Sequence, residues 1–224
     1  MHVASPDEWR NWASLPGDVL CIILSKLPQT DILSGAGLAC SPWRRLAKDV
    51  PLLWRHIDLR PDPWDEEHEE YCSWDELPLP AGWKAMARAA VERSAGGCES
   101  FSGHVDADVL VYLANRHVLP SPDQLSYRTA PLLRNLYVTG WPYIDDGKLI
   151  TETIKKLPLL ERLVMSDGYF QIQLLNALLD HCSRLELLDV TKCWPTFRDW
   201  EEPICTRIQN CTIKDLRLPD EVLE

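Results

Sequence analysis

The chain has 224 residues, which suits one or two domains, and its 46% hydrophobic content excludes wholesale disorder. Its 34 acidic side chains outnumber 23 basic ones, and a formal charge of −11 argues against nonspecific binding to nucleic acid or anionic membranes. The longest uninterrupted apolar run, Val19 to Leu24, is too short to span a bilayer, and residues 1–14 lack the apolar core of a secretory leader, so the eight cysteines are expected to be reduced.

Three short helices are expected between Trp12 and Leu59. Pro16 is suited to open the first, where Leu20, Ile23, Leu24 and Leu27 fall at i, i+3, i+4 and i+7 and form one buried face. Val19, Cys21 and Ile22 occupy the rest of that helix. A helix apolar nearly all round needs further cover, and about fifty residues cannot supply it alone. The segment therefore exports an apolar face to a partner. Thr30-Asp31 is placed to cap the second helix and Ser41-Pro42 the third, which would run to about Asp49. Gly35 and Gly37 weaken the second helix by roughly 1 kcal/mol each against alanine. Trp43, Leu46, Leu53 and Trp54 are expected in the compact core.

Next comes an acidic stretch. Residues 61–80 hold eight Asp or Glu, no Lys or Arg and four prolines, whereas residues 10–60 hold seven basic against four acidic side chains. Such a stretch reads as an exposed connector, with Trp64, Tyr71 and Trp74 available to fold back or to bind.

The second half repeats. The spacing apolar-x-x-apolar-x-apolar occurs at Leu133/Leu136/Val138, Leu160/Leu163/Met165, Leu185/Leu188/Val190 and Ile213/Leu216/Leu218, with offsets of 27, 25 and 28 residues. Each predicts a strand with one buried face. Helical patterns lie between them: Leu149, Ile150, Ile154 and Leu157 on one face, Leu174, Leu175, Leu178 and Leu179 on another, and an irregular third at Trp200, Ile204 and Ile208 that contains Pro203. A weaker repeat precedes these, with a helix at 83–93 presenting Trp83, Met86, Ala87 and Ala90, a strand beginning near Cys98 and Phe101, and a helix over 106–117 with Val109, Leu110 and Leu113 inward. Residues 118–131 hold three prolines and read as an inserted loop. The expected fold is α/β: helices over 10–60, a connector at 61–80, and a strand–helix solenoid over 81–224 with four to five repeats and parallel strands on its concave face.

Enzyme chemistry is not indicated. There is no nucleophile elbow, P-loop or dinucleotide fingerprint. His68 and Cys72 offer two ligands where zinc needs four, and His181-Cys182 at a helix end reads as structural. No cofactor or metal is expected.

Leu15-Pro16, the Val19–Leu27 run, Ile32-Leu33, Cys40, Trp43-Arg44 and the closing Leu53-Trp54-Arg55-His56-Ile57-Asp58-Leu59 together resemble an F-box. The whole chain resembles the short plant F-box/leucine-rich-repeat proteins of the Skp-interacting-partner type, with Ile144-Asp145-Asp146, Leu149 and Cys182 similar to cysteine-containing leucine-rich repeats. The position after each strand departs from the usual Asn or Cys, holding Trp141, Gly168, Cys193 and Glu221. The resemblance implies a non-catalytic subunit of an SCF ubiquitin ligase, located in the cytoplasm or nucleus. It implies a Skp-type adaptor bound through Leu15, Pro16, Val19, Leu20, Ile22, Ile23, Leu27, Ile32, Leu33 and Trp43, with cullin and RING subunits reached through that adaptor. Leu24, Leu46 and Trp54 are assigned to the internal core. The x positions of the repeats, Asn135, Tyr137, Arg162, Val164, Leu187, Asp189, Asp215 and Arg217, are expected on the concave face, where a protein client would bind. The alternatives are an F-box scaffold that does not promote degradation and a structural repeat protein capped by F-box-like helices.

Overall fold

The computed structural model describes residues 12–60, 82–115, 132–141, 143–196 and 202–219. The expectations for the connector at 61–80, the loop at 118–131, Trp200 and Glu221 lie outside these residues.

A 3₁₀ turn (Trp12–Ser14) leads to α1 (Gly17–Leu24). Pro16 stands just before α1 with φ −55° and ψ 143°. Its ring fixes φ, and its carbonyl accepts the Leu20 N–H at 3.0 Å. The second helix is broken: α2 (Gln29–Asp31) passes through a π turn (Ile32–Ala36) into α3 (Gly37–Ala39). Thr30 and Asp31 lie inside α2 and do not cap it, and the Thr30 carbonyl accepts the Ser34 hydroxyl at 2.8 Å. The π turn brings the Ile32 carbonyl to 2.5 Å from where a Cβ on Gly37 would sit, so glycine is required there. Following Cys40 in extended conformation, α4 (Ser41–Asp49) carries Pro42 in its first turn and no side-chain cap, so Ser41 starts that helix without capping it. A second 3₁₀ turn (Pro51–Trp54) delivers Trp54 to the centre, where its indole N–H donates to the Ala47 carbonyl at 2.8 Å.

Among the described residues, six parallel strands follow in the order of the chain: β1 (His56–Asp58), β2 (Ser100–His104), β3 (Asn135–Thr139), β4 (Arg162–Phe170), β5 (Leu187–Pro195) and β6 (Asp215–Arg217). Helices α5 (Trp83–Arg93), α6 (Ala107–Asn115), α7 (Gly147–Ile154), α8 (Ile172–His181) and α9 (Glu202–Gln209) connect them, and α5 to α8 pack side by side. One register row, Ile57, Phe101, Leu136, Leu163, Leu188 and Leu216, runs across all six strands. It meets the inner helix faces in a core continuous with Leu24, Ile32, Ala47 and Trp54 of the N-terminal helices. The chain is thus a helical bundle fused to a strand–helix solenoid.

Strand β1 was not expected, yet its signal was present. Trp54-x-x-Ile57-x-Leu59 repeats the spacing of the later strands, and Cys98-x-x-Phe101 repeats its first half. On α7 the buried residues are Ile150, Thr153 and Ile154, while Leu149 faces out. Thr153 takes the inward position because its hydroxyl donates to the Leu149 carbonyl at 2.7 Å, which makes it tolerable in the core. The α7 start is conventional: the Asp146 carboxylate accepts the backbone N–H of Lys148 at 2.9 Å and of Leu149 at 3.2 Å.

Strands β4 and β5 run past their neighbours. Pairing between β3 and β4 ends at Thr139 with Ser166, whereas β4 and β5 continue through two register shifts to Phe170 with Pro195. The irregularity coincides with a left-handed residue and a close approach of two backbones. Asp167 adopts φ 55°, and Gly168 packs so closely on Trp141 that a Cβ would lie 2.6 Å from the Trp141 carbonyl oxygen.

Candidate functional site

Two surfaces are candidates. The first lies on the N-terminal helices. Ile22 is 62% exposed, Leu38 53% and Val19 38%, and Leu52 is also exposed. Pro16 is also exposed, and Leu15, Ile23, Leu27, Leu33 and Trp43 are half-buried. The Trp43 indole N–H donates to the Trp12 carbonyl at 3.0 Å. Leu20 and Ile32, assigned to this surface from the sequence, are each 1% exposed and lie in the interior. They bind the helices to one another and offer no face. Leu24 and Trp54 are buried as expected, and Leu46 is half-buried against the same core. Leu38 and Leu52 escaped the sequence reading. Leu38 sits among Gly35, Ala36, Gly37 and Ala39, whose small side chains cannot cover it.

This face is joined firmly to the sheet. The Gln29 carboxamide donates to the Leu53 carbonyl at 3.4 Å and accepts the Asp58 N–H at 3.2 Å, linking α2 to β1. Arg55 pairs with Glu99 at 2.6 Å, and that hydrogen bond holds the Glu99 carboxyl below its ordinary value. The Arg93 guanidinium lies 5.0 Å over the Trp54 ring, and burial lowers its pKa.

The second surface is the sheet face away from the helices. Two further register rows lie on it: His56, Ser100, Asn135, Arg162, Leu187 and Asp215, then Asp58, Ser102, Tyr137, Val164, Asp189 and Arg217. All eight concave residues expected from the sequence are therefore on one face. Tyr137, Val164 and Leu187 form a half-buried apolar centre. Ion pairs flank it: Arg60 with Asp58 at 2.5 Å on one side, and Arg217 with Asp215 at 2.7 Å and Asp189 at 3.3 Å on the other. Arg162 is exposed and forms no ion pair among the described residues. With the Lys214 hydrogen bond, which is the larger cause, its charge holds the Glu186 carboxyl below its ordinary value.

Three buried thiols are not poised for chemistry. Burial pushes Cys98, Cys182 and Cys193 each up to about 12, far from a reactive thiolate. Among the described residues no group of three His, Cys, Asp or Glu could hold a metal, and no helix is long and apolar enough to cross a membrane.

Comparison with known proteins adds two findings. Residues 12–60 match the F-box-like family. Over the longer chain, putative F-box/LRR-repeat protein 22 of Arabidopsis thaliana is 30% identical, covering 96% of this chain and 78% of its own length. Putative F-box/LRR-repeat protein 23 from the same plant is 30% identical over 82% of this chain, and F-box protein SKIP19 is 31% identical over 83%. The chain spans only 35% and 53% of the length of these two.

Proposed function

We propose that this chain, which belongs to the F-box/leucine-rich-repeat family, is a client-recruiting subunit of an SCF-type ubiquitin ligase. The F-box docks on a Skp-type adaptor, and through it on cullin and RING subunits. The observation that carries this reading is the exposure of Val19, Ile22 and Leu38 on one small helical unit whose own core is already filled by Leu20, Leu24, Ile32 and Trp54. Interfaces of standard size cover roughly 800 Å² per partner around a few apolar anchors. Pro16, Val19, Ile22 and Leu38 supply the anchors, Leu15, Ile23, Leu27, Leu33 and Trp43 border them, and Leu20 and Ile32 support the face from beneath.

The leucine-rich sheet presents the client, with Tyr137 and Arg162 as its principal contacts and Asn135, Val164, Leu187, Asp189, Asp215 and Arg217 around them. The chain itself carries no chemistry. It raises the effective concentration of client lysines beside the loaded conjugating enzyme. Such an assembly works in the cytoplasm or nucleus, and buried thiols suit that reducing environment.

Co-purification tests the docking step. The exposed-site double variant Val19→Asp and Ile22→Asp is expected to lose the adaptor and keep the circular dichroism of the parent, and Leu15→Ala with Pro16→Ala is expected to weaken adaptor binding. Retention of the adaptor by both variants would refute the assignment. Depletion in cells tests the second step: a client that accumulates supports recruitment for degradation, whereas a bound client of unchanged abundance favours the scaffold reading.

A further inference from the structure

Beyond the concave face, the overrunning ends of β4 and β5 carry an exposed row of aromatic rings. Tyr169 and Trp194 are register partners, with ring centroids 6.1 Å apart, and Tyr143 meets Tyr169 edge-on at 5.9 Å. They are 55%, 39% and 44% exposed for Tyr143, Tyr169 and Trp194. Three large side chains kept in water side by side mark an interaction surface, since Tyr and Trp dominate interface hot spots.

Chemistry and spacing narrow the partner. Elsewhere the chain lays its own cations over its aromatic rings: Lys84 over Trp83, Arg88 over Tyr112 and Arg93 over Trp54. Among the described residues no cation covers Tyr143, Tyr169 or Trp194. Within three residues of these rings in sequence lie Asp145 and Asp146 near Tyr143 and Asp167 near Tyr169, against one lysine, Lys192, near Trp194. The Asp146 carboxylate is engaged with the start of α7. The whole chain adds a formal charge of −11. Ring steps of 5.9 and 6.1 Å approach the repeat of about 6.6 Å between same-side residues of an extended chain.

We propose that the Tyr143–Tyr169–Trp194 row binds an extended client segment bearing arginine or lysine at alternate positions, each cation resting on a ring face with the flanking carboxylates drawing it in. This deepens the reading that the repeats recruit a client and rests on it. The row adds a second contact beside the concave sheet and selects for basic segments, which also carry the lysines that ubiquitination needs.

The test uses the full chain and a fluorescent peptide in which arginine alternates with glycine, read by anisotropy. Control peptides replace arginine with citrulline or with glutamate. The arginine peptide is expected to bind and both controls to fail. Trp194→Ala and Tyr169→Ala are each expected to weaken binding about fivefold, and together at least tenfold, while Tyr169→Phe stays within about twofold because the ring face remains. Asp145→Asn with Asp167→Asn is expected to weaken binding about threefold and flatten its salt dependence. Asparagine tolerates the positive φ at 167, so that variant folds. Equal binding of the citrulline peptide, unchanged binding by the Tyr169/Trp194 double variant, or a row occupied by a second copy of the chain in sedimentation would overturn the proposal. All these variants are expected to keep the adaptor. A parent chain that captures the peptide but not the adaptor would refute the SCF reading and leave this site standing.

Discussion

The side chain of Gln171 closes both hydrogen bonds of one buried residue, Ile144. Its oxygen accepts the Ile144 N–H at 3.1 Å, and its nitrogen donates to the Ile144 carbonyl at 2.9 Å. Gln171 is 3% exposed and its own carbonyl starts α8, accepting from Leu174 and Leu175. It thus pins the turn after β3 to the repeat that follows. Gln171→Leu keeps the volume but leaves two buried backbone groups without partners, each costing about 1–3 kcal/mol. A loss of about 2–4 kcal/mol is expected in urea unfolding. Gln171→Glu is expected to lose a comparable amount, because a carboxylate cannot donate to the Ile144 carbonyl.

Two glycines two residues apart are expected to respond in opposite directions. Gly35 has open space where a Cβ would go, so Gly35→Ala is expected to raise stability by about 0.5–1 kcal/mol. Gly37→Ala would set its Cβ 2.5 Å from the Ile32 carbonyl, a backbone atom held by the π turn. That variant is expected to be destabilised by about 2 kcal/mol or more as the turn is forced apart. Thermal melts of the two variants check the contrast.

The repeats were readable because period-two alternation and a spacing of 25 to 28 residues leave few alternatives to stacked strands. That logic fixed the core row through Leu136, Leu163, Leu188 and Leu216, and with it the opposite face bearing Tyr137 and Arg162. It failed where tertiary contacts decide. Ile32 lies under the F-box surface because the π turn packs against α4, which the pattern within one helix does not encode, whereas the spacing in α1 already marks Leu20 as inward. The Gln171 bond to Ile144 spans 27 residues and has no local signature. The aromatic row depends on β4 and β5 overrunning β3 beside the close approach of Gly168 to Trp141, a contact between distant residues with no local signature.

Within α1, exposure separates binding from folding. Ile22→Ala, at an exposed site, is expected to change stability by less than about 0.5 kcal/mol while weakening adaptor capture. Leu20→Ala, two residues earlier, is expected to cost about 2–5 kcal/mol through the cavity it leaves in the core. Any loss of adaptor by the second variant is expected to recover at low temperature, where the fold survives. Measuring unfolding and adaptor affinity on the same samples separates the two effects.

The buried thiols set an alkaline limit. In the fold, burial raises Cys98, Cys182 and Cys193 to about 12, so the native state holds their protons more tightly than the unfolded chain does. Their contribution is fully present below the ordinary thiol pKa of about 8.5. It is lost as pH rises from there towards about 12, because the unfolded state ionises first. The urea midpoint is expected to fall above about pH 9, and less so in the Cys182→Ala variant. Iodoacetamide at neutral pH is expected to modify half-exposed Cys21, Cys40 and Cys211 first, and the three buried thiols only on unfolding.

At the join between F-box and solenoid, Arg93 roofs the Trp54 ring at 5.0 Å, and its Nη1 is buried without a hydrogen-bond partner. Two effects oppose there. The guanidinium gains cation–π attraction of about 0.5–2 kcal/mol and loses hydration of similar size. The near balance means that the cover Arg93 gives the Trp54 ring outweighs its charge. Arg93→Met keeps a flexible apolar cover and removes the unsatisfied group, so its stability is expected within about 1 kcal/mol of the parent. Arg93→Ala uncovers the indole and is expected to cost about 1–2 kcal/mol. Urea unfolding of the two variants checks the contrast. Equal loss in the methionine and alanine variants would show instead that the charge itself holds the F-box to the sheet.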